Sequence, residues 1–203
     1  MKKKDFNKLV ISLRYFLLGK GYNFAIEALE YAKAIHCGTR KDKVTPEFQH
    51  QVEIALYLTT IANISNLEEV IIVALLHDIE EDYNIDREEL THRFGELVEQ
   101  SVYTLSKIYK GEKKKLEDYF EHIANDPIAS IVKGVDRINN LSDMVGIFTP
   151  HGQQKYIDDV HEYFFPMLKK ARKNFPAQML AYHNITTMLR MQVTLIQHIL
   201  EKK

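Results

Sequence analysis

The amino-acid sequence predicts an all-α protein, and three observations predict it. Apolar residues recur at three- and four-residue spacing over nearly the whole length, with no sustained alternation. Only 8 Gly and 5 Pro occur in 203 residues, about half the usual share of the residues that turns require. No internal repeat or low-complexity tract breaks the pattern. With 45% hydrophobic residues a chain of this length can bury a real core. One domain is therefore expected over 1–203, with its core over about 23–175 and a C-terminal helix over about 185–201.

Met1 to Lys20 reads as an amphipathic helix carrying Phe6, Leu9, Val10, Leu13 and Leu17 on one stripe. Arg14 interrupts its apolar stretch and no small-residue cleavage site follows, which argues against a leader peptide. Phe24, Ala28, Tyr31 and Ile35 make the next stripe. Thr45-Pro46-Glu47 predicts a helix start, with Thr as N-cap and Pro first in the helix, running to about Ile61. Ser65 and Glu68 have the spacing of a capping box and open a helix through Val70, Val73 and Leu76. Asp86 with Glu89 marks another start.

Lys107 to Lys115 is rich in lysine and reads as a solvated connection between helices. Asp126-Pro127 opens a helix whose buried side is Ile128, Ile131, Val132, Val135 and Ile138. From Ser142 to Gly152 the pattern fails, and Gly146, Pro150 and Gly152 mark a loop of roughly ten residues, long enough to suspect function. A helix over about Gln153–Lys173 is expected to kink at Pro166, and Ile185, Leu189, Val193 and Ile196 carry the last helix.

Composition excludes several classes of function. Lys+Arg number 27 against 28 Asp+Glu, so the broad basic field of a nucleic-acid binder is absent. The longest uninterrupted apolar run, Val70 to Leu76, falls far short of the ~20 residues of a membrane span. Cys37 is the only cysteine, which rules out an intrachain disulfide and a Cys-rich zinc site and points to the cytoplasm. Nothing in the sequence specifies an oligomeric state.

The most informative stretch runs from Val70 through His77-Asp78-Ile79-Glu80-Glu81-Asp82. Seven apolar residues that should be buried deliver His77 and Asp78 to the edge of the core, where polar groups need partners. In a continuous helix Glu81 follows His77 by four residues and Asp82 follows Asp78 by four, which places all four on one side. Such a patch repels itself unless a divalent cation sits in it. Imidazole and carboxylate without thiolate favour a harder ion such as Mn²⁺. More ligands must come from elsewhere, and His50 and Asp136 are the candidates. Asp136 stands in an otherwise apolar helix, where it either pairs with Arg137 or binds metal.

These pieces together carry a resemblance. Leu75-Leu76-His77-Asp78-x-x-Glu81-Asp82, preceded by Arg40-Lys41 and His50 and followed by Val135-Asp136-Arg137-x-Asn139-Asn140-Leu141, resembles the HD-superfamily hydrolase domain of RelA/SpoT proteins, and most of all the stand-alone small alarmone hydrolases. The likeness runs from about Tyr31 to Lys170. Ala34-Ile35-His36-Cys37-Gly38-Thr39-Arg40-Lys41, Pro46-Glu47-Phe48-Gln49-His50, Phe94-Gly95 and Val102-Tyr103-Thr104-Leu105-Ser106-Lys107 fit in the family's order. It implies an HD-type helical bundle with His50, His77, Asp78 and Asp136 as metal ligands and Glu81 and Asp82 beside the reacting phosphate. It also implies that Arg40, Lys41, Asn140 and Tyr163 hold a guanine nucleotide. The implied reaction is metal-dependent hydrolysis of the 3′-pyrophosphate of (p)ppGpp to GDP or GTP and pyrophosphate.

The sequence departs from the family pattern at Glu47 and Phe48, where Tyr and Ile are usual, at Gln51 in place of Pro, and at Asp159, where the stand-alone hydrolases have Arg. The last change puts a phosphate contact in doubt. No region resembles a synthetase domain, so degradation without synthesis of the alarmone is expected. Plainer roles stand beside the functional ones: His36 and Tyr163 suit the core, and Arg40-Lys41 suit a solvated turn. Two other functions compete, a different HD-type nucleotide phosphohydrolase, which would release orthophosphate, and a nucleotide-sensing module without turnover. The acidic pair Glu81-Asp82 speaks against the second, since a module without chemistry has little use for it.

Overall fold

The computed structural model describes residues 5–40, 43–83, 85–109 and 111–202, and it is all-α apart from one two-stranded hairpin. The chain forms two compact units, one of residues 1–60 and 66–113 and one of residues 61–65 and 114–203. Among the described residues no helix is long and apolar enough to cross a membrane.

In the first unit α1 (Phe6–Lys20) starts at Asp5, whose side chain accepts the Asn7 N–H, and ends at Gly21 in the left-handed conformation. Val10, Leu13 and Leu17 are buried as the stripe predicts. The next helix, α2 (Asn23–Ile35), buries Ala25, Ala28, Leu29 and Ala32, while Phe24 lies 60% exposed. The expected stripe was therefore rotated: small alanines, not the aromatic, face the core. Helix α3 (Gln49–Leu58) begins later and ends earlier than its sequence signals suggest. The Thr45 carbonyl accepts the Arg40 N–H and the Glu47 N–H donates to the Gly38 carbonyl, so Thr45–Glu47 pair antiparallel with Gly38–Arg40 instead of opening the helix.

Helix α4 (Leu67–Leu76) is preceded by Asn66 at φ 53°, and no capping box forms. Glu68 accepts the N–H groups of Phe24 and Ala25 at 3.0 and 3.2 Å, capping α2, whose own N-cap residue supplies no side chain. Every residue of α4 from Val70 to Leu76 is buried, so the helix runs through the core of its unit. It is followed by α5 (Ile79–Tyr83), α6 (Arg87–Phe94), capped by Asp86 as expected, and α7 (Glu96–Leu105). The lysine-rich segment connects α7 to α8 as expected and is largely exposed, and within it β1 (Ile108–Tyr109) pairs antiparallel with β2 (Glu112–Lys113). Gly111 at φ 82° makes its turn.

The second unit contains α8 (Leu116–Ala124), α9 (Ala129–Met144), α10 (Pro150–Asp159), α11 (Phe165–Asn174) and α12 (Met179–Glu201). Asp126 caps α9 by accepting the N–H groups of Ile128 and Ala129, both at 2.8 Å. Ile128, Ile131, Val132, Val135 and Ile138 are all buried, and so are Ile185, Leu189, Val193 and Ile196 of α12, as their spacing predicts. Gly134 belongs to that packing, since a Cβ there would stand 2.7 Å from Ile185. The expected ten-residue loop shrinks to residues 145–149. Thr149 caps α10 through the Gly152 N–H, and Pro150 takes the first helical position, so two of the three loop markers are helix-start residues. Before Pro166 the chain passes through one π-helical turn, Val160–Phe164, with the Phe165 N–H reaching the Val160 carbonyl. A proline that offers no N–H is the reason for that widening.

Candidate metal centre and flanking carboxylates

Helix α4 does not continue through the His-Asp pair. It ends at Leu76, His77 and Asp78 form a turn, and α5 restarts at Ile79. The His77 ring supplies the reason: its Nδ1 lies 2.9 Å from the Ala74 carbonyl, the oxygen that a continuing helix would offer to the Asp78 N–H. The Asp82 N–H still reaches the Asp78 carbonyl at 2.9 Å, which preserves the four-residue spacing across the break.

A carbonyl only accepts, so the His77 Nδ1 carries a proton and Nε2 points the other way, 3.1 Å from Asp78 Oδ2. A lone pair and a carboxylate oxygen at that separation need a proton or a metal ion between them. About 3 Å is also the spacing of two neighbouring ligands on one ion with bonds near 2.1 Å. The His50 ring lies 5.5 Å from that of His77, centroid to centroid. One ligand atom each of His50, His77 and Asp78 falls within 4.8 Å of the others, the two imidazoles buried and the carboxylate partly exposed. This donor set fits a divalent ion that accepts nitrogen and oxygen.

Helix α5 carries three consecutive acids with three different fates. Glu80 is buried and accepts the Ser106 hydroxyl at 2.9 Å, a structural contact that the sequence did not reveal. Glu81 accepts the backbone N–H of Lys107 at 2.8 Å. Asp82 stands at the rim. Partial burial, followed by the charges of Asp78, Glu47 and Glu81, pushes its carboxyl up to about 6 against the opposing pull of His77. Around the corner, Glu47 accepts the Tyr83 hydroxyl at 2.8 Å, and the fully enclosed His36 ring stacks on Phe48 and meets Tyr83 edge-on. Burial lowers the His36 pKa and keeps the ring neutral. His36 thus has the core role that its neighbours suggested.

In the second unit Asp136 is buried on α9. It does not pair with Arg137. Its Oδ2 accepts the Lys133 ammonium at 3.1 Å and its Oδ1 the Asn140 amide at 2.6 Å. Arg137 instead lies over the rings of Tyr156 and Phe164, with Asp159 3.6 Å away. Tyr163 is half-buried and stacks on Phe120 at 5.1 Å. Arg40 is half-buried in the closed loop, its N–H bonded to Thr45, while Lys41 lies outside the described residues. Lys133 was missed as a partner of Asp136, although a cation three residues earlier in a helix is a readable signal.

Residues 28–119 match the family model described as HD domain. Over 145 residues the chain is 32% identical to the human guanosine-3′,5′-bis(diphosphate) 3′-pyrophosphohydrolase MESH1, covering 68% of this chain and 78% of that protein. The Drosophila melanogaster MESH1 is 29% identical over 155 residues, with 73% and 83% covered. An Aquifex aeolicus protein of the same activity name is 32% identical over 145 residues, but the match spans 69% of this chain and only 20% of that longer relative. In fold, the chain is similar to the solved structure of a metazoan SpoT ortholog that hydrolyses ppGpp, with a TM-score of 0.60 and 24% identity over 80% of this chain and 93% of that one. With the break at His77-Asp78 and the grouped His50, these likenesses place it: the chain belongs to the HD-domain family that includes the guanosine-3′,5′-bis(diphosphate) 3′-pyrophosphohydrolases.

Proposed function

We propose that this protein is a metal-dependent pyrophosphohydrolase that removes the 3′-pyrophosphate of (p)ppGpp, leaving GDP or GTP. The observation that carries this reading is the group of buried His50 and His77 with the partly exposed Asp78, and Glu81 and Asp82 on the adjoining helix. The named activity of relatives matched over most of their length supports it.

His50, His77 and Asp78 hold the ion in this reading, and Asp136, assigned from the family pattern, is the fourth ligand. Its burial in an otherwise apolar stretch of α9 suits that role. The donor set favours Mn²⁺. When bound, such an ion lowers the pKa of a coordinated water and polarises a phosphoryl oxygen. The remaining work falls to side chains. Glu81, fixed by the Lys107 N–H, orients the attacking water. Asp82, beside it on the same short helix, takes and returns a proton. Arg40 stacks on the purine, Lys41 meets phosphate as a point charge, and Asn140 and Tyr163 complete the nucleotide contacts. Asn140 reaches Asp136 as well, so it serves ligand and substrate together. A single cysteine fits work in the cytoplasm.

Incubating Mn²⁺-loaded protein with ppGpp and resolving the products tests the reading. GDP with pyrophosphate is expected. Orthophosphate would mark a phosphatase of the same superfamily, and tight nucleotide binding without product would mark a sensing module.

A further inference from the structure

Three segments that the proposed reaction needs converge on Glu47, a residue that chemistry does not require. Its carbonyl accepts the His50 N–H at 3.1 Å, which ties it to a metal ligand. Its N–H donates to the Gly38 carbonyl at 3.0 Å, and Pro46 bridges to Thr39, which closes the loop that carries Arg40. Its Oε2 accepts the Tyr83 hydroxyl at 2.8 Å, and Tyr83 immediately follows Asp82. Gly38 leaves the carboxylate its place: a Cβ on residue 38 would stand 2.5 Å from Oε2, and the end of the Glu47 side chain would have to move aside. The enclosed His36 walls the contact, parallel to Phe48 at 5.8 Å and edge-on to Tyr83 at 4.9 Å. Its Nδ1 is 3.9 Å from Glu47 Oε1, and its ring nitrogens make no hydrogen bond among the described residues.

Helix α5 is only five residues long and cannot hold its position by its own ladder. On one side Ser106 and the Lys107 N–H hold Glu80 and Glu81. On the other side Tyr83–Glu47 is the matching attachment. We infer that Glu47 and Tyr83 form a positioning clasp that sets the distance of Asp82 from the metal-binding turn and from the Arg40 loop. Neither residue touches substrate. Their effect is exerted through the placement of Asp82, and the inference rests on the proposed hydrolysis for its catalytic readout.

Three variants test the clasp by different chemistry. Tyr83→Phe removes the donor, and Gly38→Ala pushes the flexible end of Glu47 away from Tyr83 without a buried clash. Glu47→Gln removes the charge but keeps an oxygen that can accept the hydroxyl. Amide hydrogen exchange in residues 79–83, measured without metal or nucleotide, is expected to quicken about fivefold in the first two and to stay near wild type in the third. With ppGpp, the first two should lower kcat about tenfold with KM and Mn²⁺ affinity unchanged, because a misplaced proton carrier slows chemistry and not binding. Glu47→Gln should retain most of that turnover at its own pH optimum, and combining Tyr83→Phe with Glu47→Ala should cost no more than either alone. Unchanged exchange in both Tyr83→Phe and Gly38→Ala would overturn the clasp. So would altered exchange with wild-type kcat, or a kcat loss that only tracks metal occupancy. A wild-type protein inactive on ppGpp would refute the hydrolase reading, while the exchange measurement would still decide whether Glu47 anchors α5.

Discussion

The Asn140 side-chain amide donates to Asp136 Oδ1 across 2.6 Å, one turn along α9, while Lys133 holds the other carboxylate oxygen from the turn before. An anion buried in an apolar helix is thus oriented from both sides by its own helix. Asn140→Ala removes the hydrogen bond that orients Asp136 Oδ1. Beyond a weaker grip on nucleotide, which loss of one hydrogen bond makes about fivefold in KM, Mn²⁺ affinity should fall about tenfold, as is usual when an orienting partner of a ligand is lost. Calorimetric Mn²⁺ titration beside Michaelis kinetics checks both. Unaltered values in the two assays would refute the roles given to Asp136 and Asn140 together.

Metal binding should appear as stability. An ion that binds only the folded state at a hundred times its Kd adds about 2.7 kcal/mol, or roughly 5 to 10 °C in Tm for a chain of this size. Wild-type protein should show that rise on adding Mn²⁺ and lose it with a chelator. His77→Ala and Asp78→Ala should show none. A full Mn²⁺-dependent shift in Asp78→Ala would remove that carboxylate from the ligand set.

Asp82 should make stability depend on pH. In the metal-free protein the Asp82 carboxyl is raised to about 6 from its usual 3.8 by burial and by neighbouring carboxylates. A raised carboxyl favours folding most below its unfolded value, and that benefit is lost as pH rises through the folded value. Asp82→Asn should therefore raise the Tm of metal-free protein at pH 8 and leave it unchanged at pH 4, while kcat falls about 10²-fold or more with metal content intact. Glu81→Gln should also lower kcat. A Tm for Asp82→Asn that matches wild type at both pH values would show that the strain on this carboxyl is absent.

The sequence revealed most of the fold where the signal lies within one helix. Ile128 to Ile138 on α9 and Ile185 to Ile196 on α12 repeat at helical spacing, and both stripes are buried. The His77-Asp78 pair was legible because seven apolar residues lead into it. Local signals misled where distant partners claimed the same atoms. Glu68 has the right spacing to cap its own helix, but its carboxylate is taken by α2, and Thr45 pairs through its backbone with Arg40 while the helix begins only at Gln49. The Glu47–Tyr83 contact joins positions 36 residues apart, and no periodicity encodes it.

Asp159 supplies the last prediction. Where the stand-alone hydrolases have Arg this chain has Asp, and substitution back to Arg would, from sequence alone, restore a cation for a more highly phosphorylated nucleotide. The structure argues otherwise. Arg137 packs over the rings of Tyr156 and Phe164, 4.5 and 4.3 Å from their centroids, and Asp159 is the carboxylate that faces it at 3.6 Å. Because Arg137 is largely enclosed, its partner cannot be removed without leaving a guanidinium short of compensation, and a second guanidinium adds repulsion. Asp159→Arg should cost about 1 to 2 kcal/mol of stability, discounted because the pair is partly open to solvent. Asp159→Asn should cost less, since an amide oxygen still faces Arg137. If Asp159→Arg instead tightens pppGpp over ppGpp at wild-type Tm, Arg137 does not depend on Asp159 and the departure from the family pattern concerns substrate. If Tm falls and the preference stays, Asp159 exists in this chain to seat Arg137.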